Sequence, residues 1–260
     1  SDGTRMRSSR GRGEEGRTVV VTGGAKGIGL AICRRFSERG DRVVALGRDQ
    51  SALERARRAI DGLSTARVDV TQEDAVSAAF DDLGPIEVLV NNAGVAESAP
   101  LERTDLSSWR RHLDVNATGV FLCSRAVISS MRARAYGRIV IVASIAAVSG
   151  SRYTSAYTAS KHAAVGLMRC IAAEIAGKGI TANAVCPTYV RSAMTERSVA
   201  RISEVTGRTA SEAEAELVRS TALGRLLDPD EVAAAVAFLA SDEAEAVNGQ
   251  CLVINGGGVQ

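Results

Sequence analysis

Tyr157 and Lys161 stand four residues apart in the run Tyr157-Thr158-Ala159-Ser160-Lys161, in a chain whose only lysines are Lys26, Lys161 and Lys178. On a helix this i, i+4 spacing puts both groups on one face. A compact ammonium beside a phenol favours the phenolate and lowers a pKa that starts near ~10, which equips a tyrosine to trade protons near neutral pH. Taken alone, the pair fits equally well a surface Tyr and Lys that merely neighbour each other. A second chemistry is written in Thr22-Gly23-Gly24-Ala25-Lys26-Gly27-Ile28-Gly29. Glycines at such spacing let backbone N–H groups approach a pyrophosphate at a helix N-terminus, although Gly-x3-Gly-x-Gly differs from the more general Gly-x-Gly-x-x-Gly of dinucleotide folds.

Such residues need a scaffold, and the chain alternates short β-branched runs with amphipathic stretches. Strands are expected at 18–22, 42–46, 66–70, 87–91, 137–143, 181–185 and 251–254, and helices at 29–39, 51–63, 73–83, 106–135, 155–177 and 229–240. This alternation implies one doubly wound α/β domain over 17–260, with a mostly seven-stranded parallel sheet covered on both faces and its ligand beyond the carboxyl ends of the strands. At 45% hydrophobic but only 3% aromatic, its core must be built from Val, Ile, Leu and Ala. The segment 188–226 breaks the alternation; it is long, polar and helical, with helices expected at 198–205 and 210–221. It is expected to act as a lid over the site, with a plain surface embellishment as the alternative.

Composition excludes several classes. A net charge of +2 with interleaved acids and bases gives the body no electrostatic footprint for nucleic acid. No apolar run reaches the ~18 residues of a membrane helix. Residues 1–16, with Arg5, Arg7, Arg10 and Arg12 among Gly and Ser, read as a disordered basic arm. Five scattered cysteines in apolar segments read as reduced thiols of a cytoplasmic protein, and neither His112 nor His162 has partners at metal-ligand spacing.

Strand four ends in Asn91-Asn92-Ala93-Gly94, Asn116 falls within a long helical stretch, and strand five ends at Ser144, thirteen residues before Tyr157. Together with the glycine loop these residues resemble the short-chain dehydrogenase/reductase family, whose pattern is Thr-Gly-x3-Gly-x-Gly, Asn-Asn-Ala-Gly, then Asn, Ser and Tyr-x3-Lys. The resemblance covers about 18–258 and implies a Rossmann fold. It also implies a mechanism in which Tyr157 protonates a substrate carbonyl as nicotinamide delivers hydride, with Ser144 hydrogen-bonding the same oxygen. Lys161 would hold the nicotinamide ribose and keep the tyrosine acidic, and Asn116 would anchor a proton-relaying water. Tyr153 is a rival acid in principle, but four residues beyond it stands Tyr157 rather than a cation.

The resemblance also assigns cofactor contacts to Thr22, Gly23, Lys26, Gly27, Ile28 and Gly29, to Asn92, Ala93 and Gly94, and to Asp69 and Val70 at the end of strand three. At the end of strand two, where NAD enzymes commonly place an acid, the chain reads Leu46-Gly47-Arg48. Arg48 and Lys26 suit a 2′-phosphate and point to NADP(H), with Asp49 as the competing carboxylate. Cys186-Pro187-Thr188-Tyr189-Val190-Arg191-Ser192 is similar to the family's Pro-Gly-x-Val-x-Thr, which touches nicotinamide and phosphates. Pro187, Thr188, Val190 and Ser192 are its counterparts, with Thr188 in place of glycine and Ser192 in place of threonine.

Val95, Ala146, Val148, Tyr153 and Tyr189 are the expected pocket walls, giving a mostly apolar space suited to a hydrophobic ketone. The chain looks like ketoreductases of aromatic polyketide synthesis, hence of antibiotic biosynthesis, which reduce a ketone carried on acyl carrier protein. It lacks the Pro-Gly-Gly that some of them carry after Asn-Asn-Ala-Gly. Arg191, Arg197, Arg201 and Arg208 could meet a carrier protein or its phosphopantetheine, or could be solvated helix faces. Reduction of 3-oxoacyl thioesters, oxidation of a 3-hydroxy acid and a nicotinamide-sensing regulator without turnover are the other readings. The family implies an oligomer, usually a homotetramer.

Overall fold

Val19, Val20 and Val21 of β1 (Thr18–Thr22) are fully buried and face alternate ways: Val20 joins one hydrophobic cluster, Val19 and Val21 the other. The same alternation recurs at Val88, Leu89 and Val90 of β4 (Val88–Asn91) and at Ile139, Val140, Ile141 and Val142 of β5 (Gly137–Val142). A strand buried on both faces has no polar side to show, so the unbroken valine runs follow from a sheet covered twice. The computed structural model describes residues 16–219 and 221–258; the expected basic arm, apart from Gly16, lies outside them.

With β2 (Arg42–Gly47), β3 (Ser64–Arg67), β6 (Ile180–Pro187) and β7 (Cys251–Ile254), the seven strands run parallel in the order β3-β2-β1-β4-β5-β6-β7. One face is covered by α1 (Gly27–Ser37), α2 (Gln50–Ala59) and α9 (Pro229–Leu239). The other is covered by α3 (Glu73–Leu83), α5 (Gly119–Arg134) and α6 (Ser155–Glu174). The order reverses between β1 and β4, so their carboxyl ends open the crevice in which such folds bind ligands.

Three elements differ from expectation. The third strand ends at Arg67, not at 70, because the Asp69 carboxylate accepts hydrogen bonds from the Thr71 N–H (3.0 Å) and hydroxyl (2.8 Å) and folds the chain into a turn. The expected helix 106–135 is α4 (Leu106–Leu113), a π-helical turn (Asp114–Thr118) and α5. Beyond β6 lie α7 (Ala193–Thr206) and α8 (Ala210–Arg219). α7 starts five residues before the expected 198 because Ser192 caps it, accepting from the Thr195 N–H at 3.4 Å.

The amino-terminal edge of the sheet is tied by Arg138, which is 2% exposed. Its guanidinium donates to the carbonyls of Gly137 (3.0 Å), Gly179 (3.1 Å) and Ser241 (3.2 Å), joining β5 to the turns before β6 and after α9.

Candidate active site

The ends of β1 and β4 are bound to each other by the residues that the sequence assigned to cofactor. Thr22 Oγ1 accepts from the N–H groups of Asn92 and Ala93, both at 3.0 Å, and Asn92 Nδ2 donates to the carbonyls of Thr22 (3.0 Å) and Gly23 (3.1 Å). Thr22 and Asn92 therefore fix the floor of the crevice. Lys26 precedes α1 without a side-chain cap, and no acid occupies the first turn, so the N–H groups of Gly27, Ile28 and Gly29 face outward at the positive end of the helix dipole. A Cβ on Gly29 would lie 2.2 Å from the Gly23 carbonyl oxygen, while Gly27 has φ +54° and open space above it save for Ser192 Cβ at 3.8 Å. A close-packed loop with uncapped donors and room above them fits a dinucleotide pyrophosphate. Ser192, at the start of α7, overhangs it.

Along the crevice, Arg48, Arg67 and Asp69 line a hollow of about 330 Å³. Arg48 lies 3.6 Å from Asp69, whose partial burial acts to raise its pKa but is overcome by the Thr71 hydrogen bonds and the Arg48 charge, which hold it below the usual carboxylate value. Asp49, the competing carboxylate, caps α2: it accepts from the Ala52 N–H at 3.1 Å and the Ser51 hydroxyl at 2.8 Å. Arg67, which no motif singled out, adds a second guanidinium. Val70 is buried against Gly119, where α5 begins.

The four residues expected to carry the chemistry meet at the ends of β4, β5 and α6. Lys161 Nζ lies 5.8 Å from the Tyr157 ring centroid and donates to the Val142 carbonyl at 2.9 Å. Burial raises the Tyr157 pKa, opposed by a hydrogen bond with Ser144. Lys161 itself is lowered from 10.5 to about 8 by burial. The expectation that Lys161 would depress the phenol is thus corrected: both groups sit where charge is poorly solvated, and the ammonium is turned toward a carbonyl. Ser144 Oγ also accepts from the Ala146 N–H at 3.2 Å.

Asn116 is the central residue of the π-turn and 1% exposed. Its Oδ1 accepts from the Val95 N–H and its Nδ2 donates to the Val95 carbonyl and to Ser160 Oγ, all at 2.9 Å; Ser160 in turn donates to the Tyr157 carbonyl at 2.7 Å. The Asn116 amide thereby couples the segment after Gly94 to the helix that bears Tyr157. His112, also buried, donates from Nδ1 to the Ser108 carbonyl (2.7 Å) and accepts at Nε2 from the Glu97 N–H (3.1 Å), while its ring meets that of Tyr157 edge-on at 6.4 Å. Ser160 and His112 shape the site, yet the sequence marked them only as part of a run and as a histidine without ligands. Proximity across helices was the missing signal.

A cavity of about 490 Å³ opens between the 95–105 loop, α6 and α7. Val95 and Tyr153 line it, whereas Ala146 is buried and Val148 packs on the core. Tyr189 lies close enough to raise the Tyr157 pKa by charge. Tyr153 adopts φ +65°, uncommon for a non-glycine residue, and is held there by its carbonyl, which accepts from the Ala99 N–H at 2.8 Å. Beside the apolar surface that the sequence implied, Arg103, Asp105, Ser155, Arg197 and Arg201 bring polar and charged groups to the walls. The lid was expected over the site, and α7 supplies Arg197 and Arg201 from it; the contribution of 103–108, leading into α4, was not expected. Thr188 stands where the glycine was expected and is accommodated, because its N–H donates to the Ile254 carbonyl at 3.0 Å and so prolongs the sheet, where β-branching is favoured. Pro187 pairs with Ile254, and Val190 is buried beside Leu227. Among the described residues no cluster could hold a metal ion and no helix is long and apolar enough to cross a membrane.

Compared with known proteins, residues 17–203 match a family model described as short chain dehydrogenase. The chain is 40% identical to cis-4-hydroxycyclohexanecarboxylate dehydrogenase of Sinomonas cyclohexanicum, over 93% of this chain and 96% of that one. It is 36% identical to acetoacetyl-CoA reductase of Shinella zoogloeoides, over 93% and 98%. A solved structure of a single-residue variant of actinorhodin polyketide ketoreductase with NADPH superposes with a TM-score of 0.87 at 33% identity, over 93% and 97%.

Proposed function

The chain belongs to the short-chain dehydrogenase family, and we propose that it is an NADP(H)-dependent ketoreductase that reduces a ketone of a polyketide or 3-oxoacyl thioester to a secondary alcohol. The family makes it an oxidoreductase of the alcohol/ketone pair with a nicotinamide cofactor, and a sensor without turnover is set aside. The observation that carries the reading is a phenol kept protonated by burial, hydrogen-bonded by Ser144 and backed by the Lys161 ammonium, beside a pocket large enough for a substrate. When bound, the nicotinamide supplies the hydride. Tyr157 gives its proton to the carbonyl oxygen, Ser144 donates a hydrogen bond to the same atom, and Lys161 would hold the nicotinamide ribose. The Asn116 amide, engaged by Val95 and Ser160, holds the segment after Gly94 against the helix that carries Tyr157, and the second lone pair of its oxygen is where a relaying water would be anchored. The relatives support the substrate class, one by its name as an acetoacetyl-CoA reductase and one as a polyketide ketoreductase.

NADP(H) preference is supported by the Arg48 and Arg67 pair and by the engagement of Asp49 in a helix cap. Arg48→Ala and Arg67→Ala are each expected to raise KM for NADPH about 10- to 100-fold, the loss of a charge-assisted contact, with little change for NADH. Equal losses with both cofactors would refute the assignment. The family habit and the free cysteines support a cytoplasmic homotetramer, which sedimentation would test.

The reaction is tested by initial rates of NADPH loss, with NADH as control, on a rigid bicyclic ketone and an acetoacetyl thioester. Turnover of either with NADPH supports the reading, and silence on both refutes it. The pH dependence is a second test. Reduction is expected to fall as pH rises through about 8, where Lys161 loses its proton. Between that value and 10.5 the unfolded chain holds a proton that the native one lacks, so stability rises with pH while reduction falls. Lys161→Arg, which cannot lose its charge, should lower the rate and abolish that limb of the profile; a limb that persists would assign it elsewhere.

A further inference from the structure

We infer that the mouth of the substrate pocket is a subsite for an anionic group of the substrate, formed by Arg103, Arg197 and Arg201. The inference rests on the ketoreductase reading and concerns which anion, that of a thioester arm or of a free keto acid, its pocket receives. The three guanidiniums come from two segments, the short helical turn Leu101–Arg103 and one face of α7, and all line the same cavity. Arg197 and Arg201 are four residues apart, a spacing at which like charges repel, so helix stability does not account for them. Among the described residues Arg103 and Arg197 have no acidic partner within ion-pair distance. Arg201 pairs only with the exposed Glu204 at 2.7 Å, a contact worth little.

The two acids on the cavity wall do not compensate them. Glu97 is held by Arg111, and Asp105 caps α4 by accepting from the Ser108 N–H at 2.7 Å. The other lid arginines contrast with these: Arg191 pairs with Asp228, Arg208 pairs with Glu216, and neither lines the cavity. Uncompensated charge is therefore concentrated at the pocket and not spread over the lid. The same cavity reaches Val95 and Ala156, the neighbour of Tyr157, so a ligand anchored by its anion at the mouth would direct its carbonyl inward. Guanidinium forks suit a carboxylate or a phosphate. The carboxylate would belong to a free keto acid, the phosphate to a phosphopantetheine arm.

The test compares substrates matched except for charge, with NADPH saturating: acetoacetate against methyl acetoacetate, and acetoacetyl-phosphopantetheine against acetoacetyl-pantetheine. The wild type is expected to prefer the anionic member of a pair. In the Arg103→Ala/Arg197→Ala double variant, the anionic-to-neutral ratio of kcat/KM should fall about 10- to 100-fold through KM, the size of a lost charge-assisted contact. A response confined to the first pair identifies a keto acid, one confined to the second a thioester arm. Equal use of both members by the wild type, or an unchanged ratio in the variant, overturns the subsite while leaving the ketoreductase reading intact. If no ketone is reduced, that reading fails, and calorimetric titration of the NADPH-bound protein with acetoacetate and with phosphopantetheine decides the subsite. Weaker binding by the variant supports it; equal or absent binding overturns it.

Discussion

Tyr157→Phe is expected to lower kcat for ketone reduction by about 10²- to 10⁴-fold, the usual worth of a positioned general acid, while cofactor binding survives. Phenylalanine keeps the ring that meets His112 edge-on and lies against Lys161, so only the hydroxyl is removed. The size of the effect follows from the environment. Burial favours the neutral phenol, so at neutral pH the proton is present for donation, and the Ser144 hydrogen bond moderates that bias. Cofactor fluorescence and single-turnover rates on the same sample would separate binding from chemistry. Near-normal turnover would refute Tyr157 as the acid and leave Tyr153, which is 57% exposed and lies at the cavity wall, to be examined.

The largest expected effect on stability is that of Arg138→Ala, a loss of about 3 kcal/mol or more from leaving buried carbonyls unpaired and a cavity behind. Its ion pair is a minor part, because Asp242 is 59% exposed and well served by water. The carbonyls of Gly137, Gly179 and Ser241 cannot be reached by solvent as easily, and Arg138 is among the largest fully buried side chains. For a domain of this size such a loss corresponds to a melting-temperature drop of about 6–12 °C. Denaturant midpoints at constant m-value would measure it, and a shift under ~1 kcal/mol would show that the turns are held by other contacts.

Where an element or a chemical group is defined by its neighbours along the chain, it was legible in the sequence. The apolar runs of β1 and β4, the glycine spacing before α1 and the Tyr157–Lys161 step along α6 are of this kind. What was not legible depends on distance across the fold. Arg67 gains meaning only beside Arg48, and His112 only because α4 packs against α6. Thr22 and Asn92 were recognised as site residues, but their role as the clamp between β1 and β4 required the strand order. Lys161 was expected to acidify the tyrosine because spacing gives proximity without solvation, and burial dominates there.

The π-turn at Asp114–Thr118 is, in effect, a helix with one residue more than its pitch accommodates. One residue turns whatever follows by about 100°, so α5 presents to the sheet a face that a straight continuation of α4 would have rotated away. No single apolar stripe can run through both segments, which is why one period failed to describe 106–135. It also sets regularity against chemistry. A chain one residue shorter at this point would form a longer and better-bonded helix, and it would have no Asn116 clamp to hold Val95 against the helix of Tyr157. Stability alone would favour the regular helix, so the turn marks a place where the fold yields to the site.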